Sequence, residues 1–289
     1  NSDGFTVGSG ASFNQSGQTF GAWAWKAGGA AVANTDGSIT SQVSASTNYG
    51  FSIVSYTGTG SNATIGHSLN TAPSLILLKD RDATNSWQTF HVSVGNTKSF
   101  HLNASAGTDT ASSYWNNTSP TNSVFTVGSS ATTNASGRDF IAYVWSEVAG
   151  FSKFSSYSGN GGSKAITGLG FKPRYVLIRA TGIGSWMLFD SARGVGQYLK
   201  AQTSGAEATA NISLSFDSDG FSFNTSDGDF NGNGQTYIYA AYADRPGNNW
   251  TPNNLSAGDG VTSPEEATGA APIYNTTDIF GKVKGVGFR

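Results

Sequence analysis

Apolar residues fall in short bursts along this chain, and the bursts have strand length. FSIVSY (51–56), SLILLK (74–79), FIAYVW (140–145), YVLIR (175–179) and YIYAAY (237–242) are separated by stretches rich in glycine, serine, threonine and asparagine. No segment sustains a 3.6-residue apolar period over three turns, so the pattern predicts strands throughout. SLILLK and YVLIR are continuous apolar runs that suit strands buried on both faces. In FIAYVW, Phe140, Ala142 and Val144 alternate with Ile141, Tyr143 and Trp145, so neither face is polar. Such a strand is central in a sandwich, or a neighbouring repeat or chain covers it.

The bursts recur. GFSIVSYTG (50–58) returns as GFSKFSSYSG (150–159), Pro73 as Pro173, and Trp87 and Phe90 as Trp186 and Phe189. Phe125, Phe140 and Trp145 correspond to Phe221, Tyr237 and Tyr242. Self-similarity at this period marks a repeat architecture. The expected fold is all-β: tandem antiparallel β-sandwich repeats of jelly-roll-like form, each of about 100 residues. The first spans 50–149 and the second 150–245. Phe5, Phe20 and Trp25 match Phe125, Phe140 and Trp145 at a constant offset of 120. Residues 1–25 therefore read as the closing hairpin of a preceding, truncated repeat, and the chain as a window on a longer protein. A lone hairpin is marginal in water, so it has lost or must borrow its partner strands. Residues 26–49 are rich in small residues and read as a linker or insertion, whereas the join at 146–149 has four residues and predicts close coupling. Residues 246–289 hold four of the seven prolines and read as an extended linker or tail.

Composition narrows the function. Among 289 residues there are 38 glycines and no cysteine, and the formal charge is −2. Without cysteine there is no disulfide scaffold, thiolate metal site or thiol nucleophile. A near-neutral chain lacks the electrostatic footprint for nucleic acid. No stretch approaches a membrane-spanning apolar length, so membrane insertion is not expected.

Asp227, Asp229, Asn231 and Asn233 alternate with glycine and phenylalanine in the manner of a calcium loop, because Ca²⁺ takes oxygen ligands from a tight turn. Calcium is the one cofactor the residues suggest. Against it, Ile238 occupies the position of the bidentate glutamate. Asn14, Asn134 and Asn231 also recur with Gly17, Gly137 and Gly234, which is a turn signal. Tyr114, Trp115, Asn116 and Asn117 combine aromatic and amide groups that could stack on and hydrogen-bond a sugar, although a tryptophan beside a turn more often caps its own core. His67, His91 and His101 have no ligand spacing and read as surface histidines. Lys79 and Arg179, at equivalent positions, read as carrying their strands out to solvent. The acidic pairs Asp80/Asp82 and Asp217/Asp219 are the only route to hydrolysis, and Ser-Asp-Gly-Phe recurs at 2–5 and 218–221 as a turn. N-x-S/T triplets at Asn62, Asn103, Asn117, Asn134 and Asn211 are expected by chance in such a composition. No enzyme activity is expected.

GFSIVSYTGTGSNATIGHSLNTAPSLILLKDR, YWNNTSPTNSVFTVGSS and NTDGSITSQVSAS resemble a repeat module of tailed-phage virion proteins of marine and cyanobacterial phages. Such modules occur in long proteins regarded as tail fibres, often joined to concanavalin-like (LamG-type) sandwiches. The resemblance covers about 1–250, is strongest over 50–149, and brings no catalytic residues. It implies a structural or adhesive part of the virion surface that takes part in host attachment. The expected partners are further copies of the chain (a trimer if a fibre), other virion proteins and a host surface glycan. A secreted or cell-surface bacterial carbohydrate-binding adhesin is the alternative, and a polysaccharide depolymerase a weaker one.

Overall fold

A computed structural model describes residues 4–209 and 214–243. Residues 27–243 belong to one compact unit. It opens with β1 (Val32–Asn34) and β2 (Ser41–Ser46), followed by β3 (Phe51–Thr57), β4 (Ala63–Gly66), β5 (Leu75–Asp80), β6 (Gln88–His91), β7 (Lys98–His101), β8 (Asp109–Thr110), β9 (Val124–Val127) and β10 (Asp139–Trp145). The second half holds β11 (Ser152–Ser158), β12 (Ser163–Thr167), β13 (Tyr175–Ala180), β14 (Met187–Asp190), β15 (Gln197–Lys200), β16 (Ala208–Thr209), β17 (Ser215–Asp217), β18 (Gly220–Asn224) and β19 (Thr236–Tyr242). Helices are single turns: α1 (Ala11–Asn14), α2 (Ser112–Trp115) and α3 (Ala131–Asn134).

The chain is all-β, and its named strand pairs are antiparallel. One sheet runs β1-β2-β3-β10-β5-β6-β7-β8 and a later one β11-β19-β13-β14-β15-β16. From β3 and from β11 onward the two orders are the same: the closing strand inserts between the first strand and the Pro-led strand. A smaller sheet faces each, β4-β9 in the first sandwich and β12-β18-β17 in the second. In the first sandwich Val54, Tyr56, Ile76, Leu78, Phe90 and Phe140 pack against Ile65, Phe125 and Val127 of the small sheet.

Residues 26–49, expected as a linker or insertion, contribute β1 and β2 to the edge of the first sheet, β2 pairing with β3 from Gln42↔Ser55 to Ser46↔Phe51. The strand was concealed because its inward positions alternate apolar with small polar residues. Ile39, Ser41 and Val43 are all buried, and Ser41 Oγ donates to Gly66 O at 2.9 Å. Residues 4–26 belong to the other unit, and among them only α1 is regular structure. The expected hairpin strands are not formed there. The tail 246–289 and Asn211 lie outside the described residues.

The doubly apolar closing strands find different cover. Every residue of β19 from Tyr237 to Tyr242 is buried, and His91 of the first sandwich lies 3.1 Å from the Tyr239 carbonyl. In β10, Phe140, Ala142 and Val144 are fully buried in the core, while Ile141 and Tyr143 are half-buried.

Candidate functional site

Three polar constellations hold the molecule together, and the candidate site residues distribute among them. The first is a clamp at the start of each closing segment. Asn134 is fully buried at the end of α3. Its Nδ2 donates to Ser61 O and to Gly128 O at 3.0 Å, and its Oδ1 accepts from Thr59 N at 2.8 Å. Asn231, also fully buried, repeats the set: Nδ2 to Gly162 O at 2.8 Å and Thr225 O at 2.6 Å, Oδ1 from Asn160 N at 3.0 Å. Beside each, a tyrosine hydroxyl donates to the preceding carbonyl, Tyr56 to Thr133 O and Tyr157 to Phe230 O, both at 2.5 Å. The chain passes so close that a Cβ on Gly58 would lie 2.3 Å from Ala135 O, and one on Gly159 2.2 Å from Gly232 O. Only glycine fits either place.

The calcium candidates lie in and beside the second of these clamps. Asp227 stands where Ser130 caps α3, its Oδ1 accepting from Asp229 N at 2.7 Å as Ser130 Oγ does from Thr132 N. Asp229 accepts from Ser185 N and pairs with Lys200 Nζ, both at 2.8 Å. Burial pushes the Asp229 carboxyl up, but hydrogen bonds from Lys200 and Ser185 outweigh it and hold the group below the ordinary value. Asn231 is the clamp, and Asn233 lies exposed on the following turn. Asp227 Oδ1, both Asp229 oxygens and Asn231 Oδ1 thus each accept from a protein donor. Among the described residues no three His, Asp or Glu side chains gather as a metal group.

The second constellation is the corner of the first sandwich. Asp80, fully buried, accepts from Asp82 N at 3.0 Å, Asn85 Nδ2 at 2.8 Å and Arg138 Nη1 at 3.0 Å. Burial alone would raise its carboxyl; these donors and the Arg138 charge hold it below the usual range. Asp82 Oδ2 accepts from Asp139 N at 2.7 Å. Asp219 closes the β17–β18 turn and accepts from Gly168 N and Gly170 N. Of these carboxylates, Asp80, Asp82 and Asp219 thus staple backbone.

The third constellation is the joint between the sandwiches, and the sequence reading missed it. Arg179 does not reach solvent. It is fully buried, its guanidinium 5.1 Å from both the Phe100 and Trp186 ring centroids. Nη1 donates to Ala104 O at 3.1 Å and Gly184 O at 2.7 Å, and Nη2 to Ala106 O. Burial brings its pKa down to about 10, so it remains a cation at neutral pH. Lys79, its counterpart, folds onto its own loop, donating to Asp80 O and Ala83 O. Trp186 Nε1 donates to His101 O at 2.9 Å, and Gly184 N to Ser105 O at 3.0 Å.

His91 completes the joint. It is buried, contrary to the surface reading, with Nδ1 accepting from Ser93 N and Nε2 directed at Tyr239 O at 3.1 Å. That pair of contacts requires the neutral ring with its proton on Nε2. Burial lowers its pKa to about 4, the Tyr239 carbonyl opposing only in part. His67 is likewise buried, with Nδ1 accepting from Leu69 N and Nε2 facing Thr121 O. His101 is half-buried, its Nε2 3.3 Å from Asp109 Oδ2.

The glycan candidates separate. Trp115 is 2% exposed and meets Phe90 edge-on at 6.0 Å, so its ring caps the core. Tyr114 is half-buried, its hydroxyl donating to Asp109 Oδ2 at 3.2 Å. Asn116 ends α2 in the left-handed conformation (φ 50°) and accepts from Asn62 Nδ2 at 2.8 Å; Asn117 is exposed.

The fold and these constellations define an all-β, antiparallel sandwich protein stapled by buried polar side chains. A model of a domain family of unknown function, DUF7483, matches residues 1–246, and the chain belongs to that family. No curated protein and no solved structure matches it.

Proposed function

We propose that this chain is a non-enzymatic structural component of a phage virion surface, part of a tail fibre or similar appendage that contributes to host attachment. The observation that carries the reading is the joint. Two sandwiches are locked by a buried arginine, a tryptophan and a histidine, which makes a stiff tandem segment and leaves the loops around Asn117 and Ile183 open to solvent. The resemblance of 50–149 to tailed-phage virion modules supports the same reading. Contact with a host glycan would fall to Tyr114, Asn116 and Asn117, without the Trp115 ring. Copies of the chain associate in this proposal as a trimer around a fibre axis, with other virion proteins at its ends.

Antibodies raised against the chain should label an appendage of intact particles and slow their adsorption to host cells. Particles that contain the chain but show no surface label would contradict the proposal. Light scattering over a tenfold concentration range tests the assembly: a constant trimer mass supports the fibre, and a constant monomer mass removes the trimer.

A further inference from the structure

Four polar side chains share one inward face at the β6-β7-β8 edge of the first sheet. On β6, Gln88 lies on the same face as the core residue Phe90. Gln88 pairs with His101 of β7, and Ser99, two residues back along β7, pairs with Asp109 of β8. Strand residues alternate faces and cross-strand partners share one, so Gln88, Ser99, His101 and Asp109 stand together. The second sandwich has the same strand order, and its four matching positions hold Met187, Tyr198, Lys200 and Ala208. The same sheet forms there without a carboxamide, a serine, an imidazole or a carboxylate at these places.

The quartet is arranged for acyl transfer. Ser99 Oγ donates to Gln88 Oε1 at 2.8 Å, and both residues are 1% exposed. A hydroxyl thus lies against a carboxamide with water kept out. His101 Nε2 faces Asp109 Oδ2 at 3.3 Å, and the Tyr114 hydroxyl donates to the same oxygen at 3.2 Å. That orientation leaves His101 Nδ1 as the ring's proton acceptor. Nucleophile, base and orienting carboxylate are the three parts that activate a serine. Trp115 packs edge-on against Phe90, and its buried Nε1–H has no acceptor among the described residues. A donor for a developing oxyanion therefore stands on this side of the core.

We propose that Ser99 and Gln88 join in a self-formed ester, a covalent bridge between β6 and β7. Ser99 Oγ attacks Gln88 Cδ while His101 Nδ1 accepts the hydroxyl proton. The Cδ–Nε2 bond then breaks, and the nitrogen leaves with that proton as ammonia. Amide plus hydroxyl gives ester plus ammonia, so the step needs no co-reactant. Ammonia departs past half-buried His101 and Asp109, and the burial of Ser99 and Gln88 shields the ester from hydrolysis. The reaction occurs once per chain and turns over no substrate. The bridge would tie down the strand on which the second sandwich rests, since Phe100 meets Arg179 and the His101 carbonyl accepts from Trp186. The inference is independent of the attachment reading.

The intact mass of the full chain tests it. Closure predicts a mass about 17 Da below that of the sequence, the mass of the ammonia lost. A tryptic digest, which cuts after Lys98, should leave the peptides carrying Gln88 and Ser99 joined until hydroxylamine cleaves the ester. Ser99→Ala should restore the full mass, and so should Gln88→Met, which copies the matching position of the second sandwich. His101→Ala should fold and close roughly a hundredfold more slowly. A parent chain that keeps its full mass after prolonged incubation in mildly alkaline buffer overturns the proposal. So does a loss of ammonia that survives Ser99→Ala, which would place it at an Asn–Gly bond instead. Should Ser99→Ala fail to fold, Gln88→Met carries the same comparison.

Discussion

In the first sandwich the polar group at the inner corner is the Asp80 carboxylate on β5, beside Phe140; in the second it is the Tyr237 hydroxyl on β19, beside Ala180. Phe140 stacks on Tyr56 at 5.3 Å, and Tyr237 on Tyr157 at 5.2 Å, in the same relative pose. The Tyr237 hydroxyl accepts from Gly232 N at 2.7 Å, while Asp80 gathers Arg138, Asn85 and Asp82 N. One corner is closed by a charged network and the other by a neutral phenol. The clamp asparagine, the tyrosine beneath it and the close-packed glycine do not change between them. The frame is therefore local and repeated. The corner and the outer face vary with what each sandwich must meet.

The largest expected effect tests the shared frame. Asn134→Ala and Asn231→Ala each leave backbone groups of two loops unpaired beside a fully buried position, and each should cost on the order of 4 kcal/mol. Near-equal shifts in the urea midpoint would sharpen the equivalence; a difference of more than about half would break it. Next comes the position at which the sandwiches part company. Arg179→Ala leaves the buried Gly184 carbonyl and the part-buried Ala104 and Ala106 carbonyls unpaired and two rings uncovered, for a loss of about 3 kcal/mol, and Arg179→Lys should not restore it because an ammonium cannot span the fork. Lys79→Ala, on the half-buried counterpart, should cost less than about 1 kcal/mol.

Acid tests the joint from another side. The His91 value near 4 lies below the ordinary histidine value, so the unfolded chain binds the extra proton first. Stability is then full above about pH 6.5 and declines as pH falls towards 4, by up to roughly 3 kcal/mol. His67, also lowered by burial, acts in the same direction. Asp80 and Asp229 are held below their ordinary value, so their contribution is lost only at lower pH still. A midpoint that stays flat between pH 6.5 and 4 would contradict the neutral buried His91. The tyrosines follow: Tyr56→Phe and Tyr157→Phe should each cost about 1 kcal/mol, and equally.

The strand pattern, the internal duplication and the recurrent Asn–Gly turn were legible because each is written in local chemistry: period, Pro-led apolar runs, and residues that accept a left-handed turn. The buried joint was not. Lys79 and Arg179 occupy the same strand position, and nothing beside Arg179 in the chain reveals that Phe100, Ala104 and Ala106 of the other sandwich will cover it. His91 escaped for the same reason, since its partner is Tyr239 O, 148 positions away. β2 was hidden because Ser41 fills an inward position that a hydrophobic pattern leaves blank. Trp115 and the Asp227–Asn233 loop show the converse. Both resemble ligand chemistry, yet the Trp115 ring packs in the core and Asp227, Asp229 and Asn231 accept hydrogen bonds from within the fold.

The most direct measurement is native-state amide exchange across β10 and β19 of the whole chain, followed through urea. A joint built on buried Arg179, Trp186 and His91 predicts that the slowest amides of both strands open together, at one free energy and with one dependence on denaturant. Two separate opening energies, with β10 still protected after β19 has exchanged, would show that the sandwiches are independent beads and would contradict the joint.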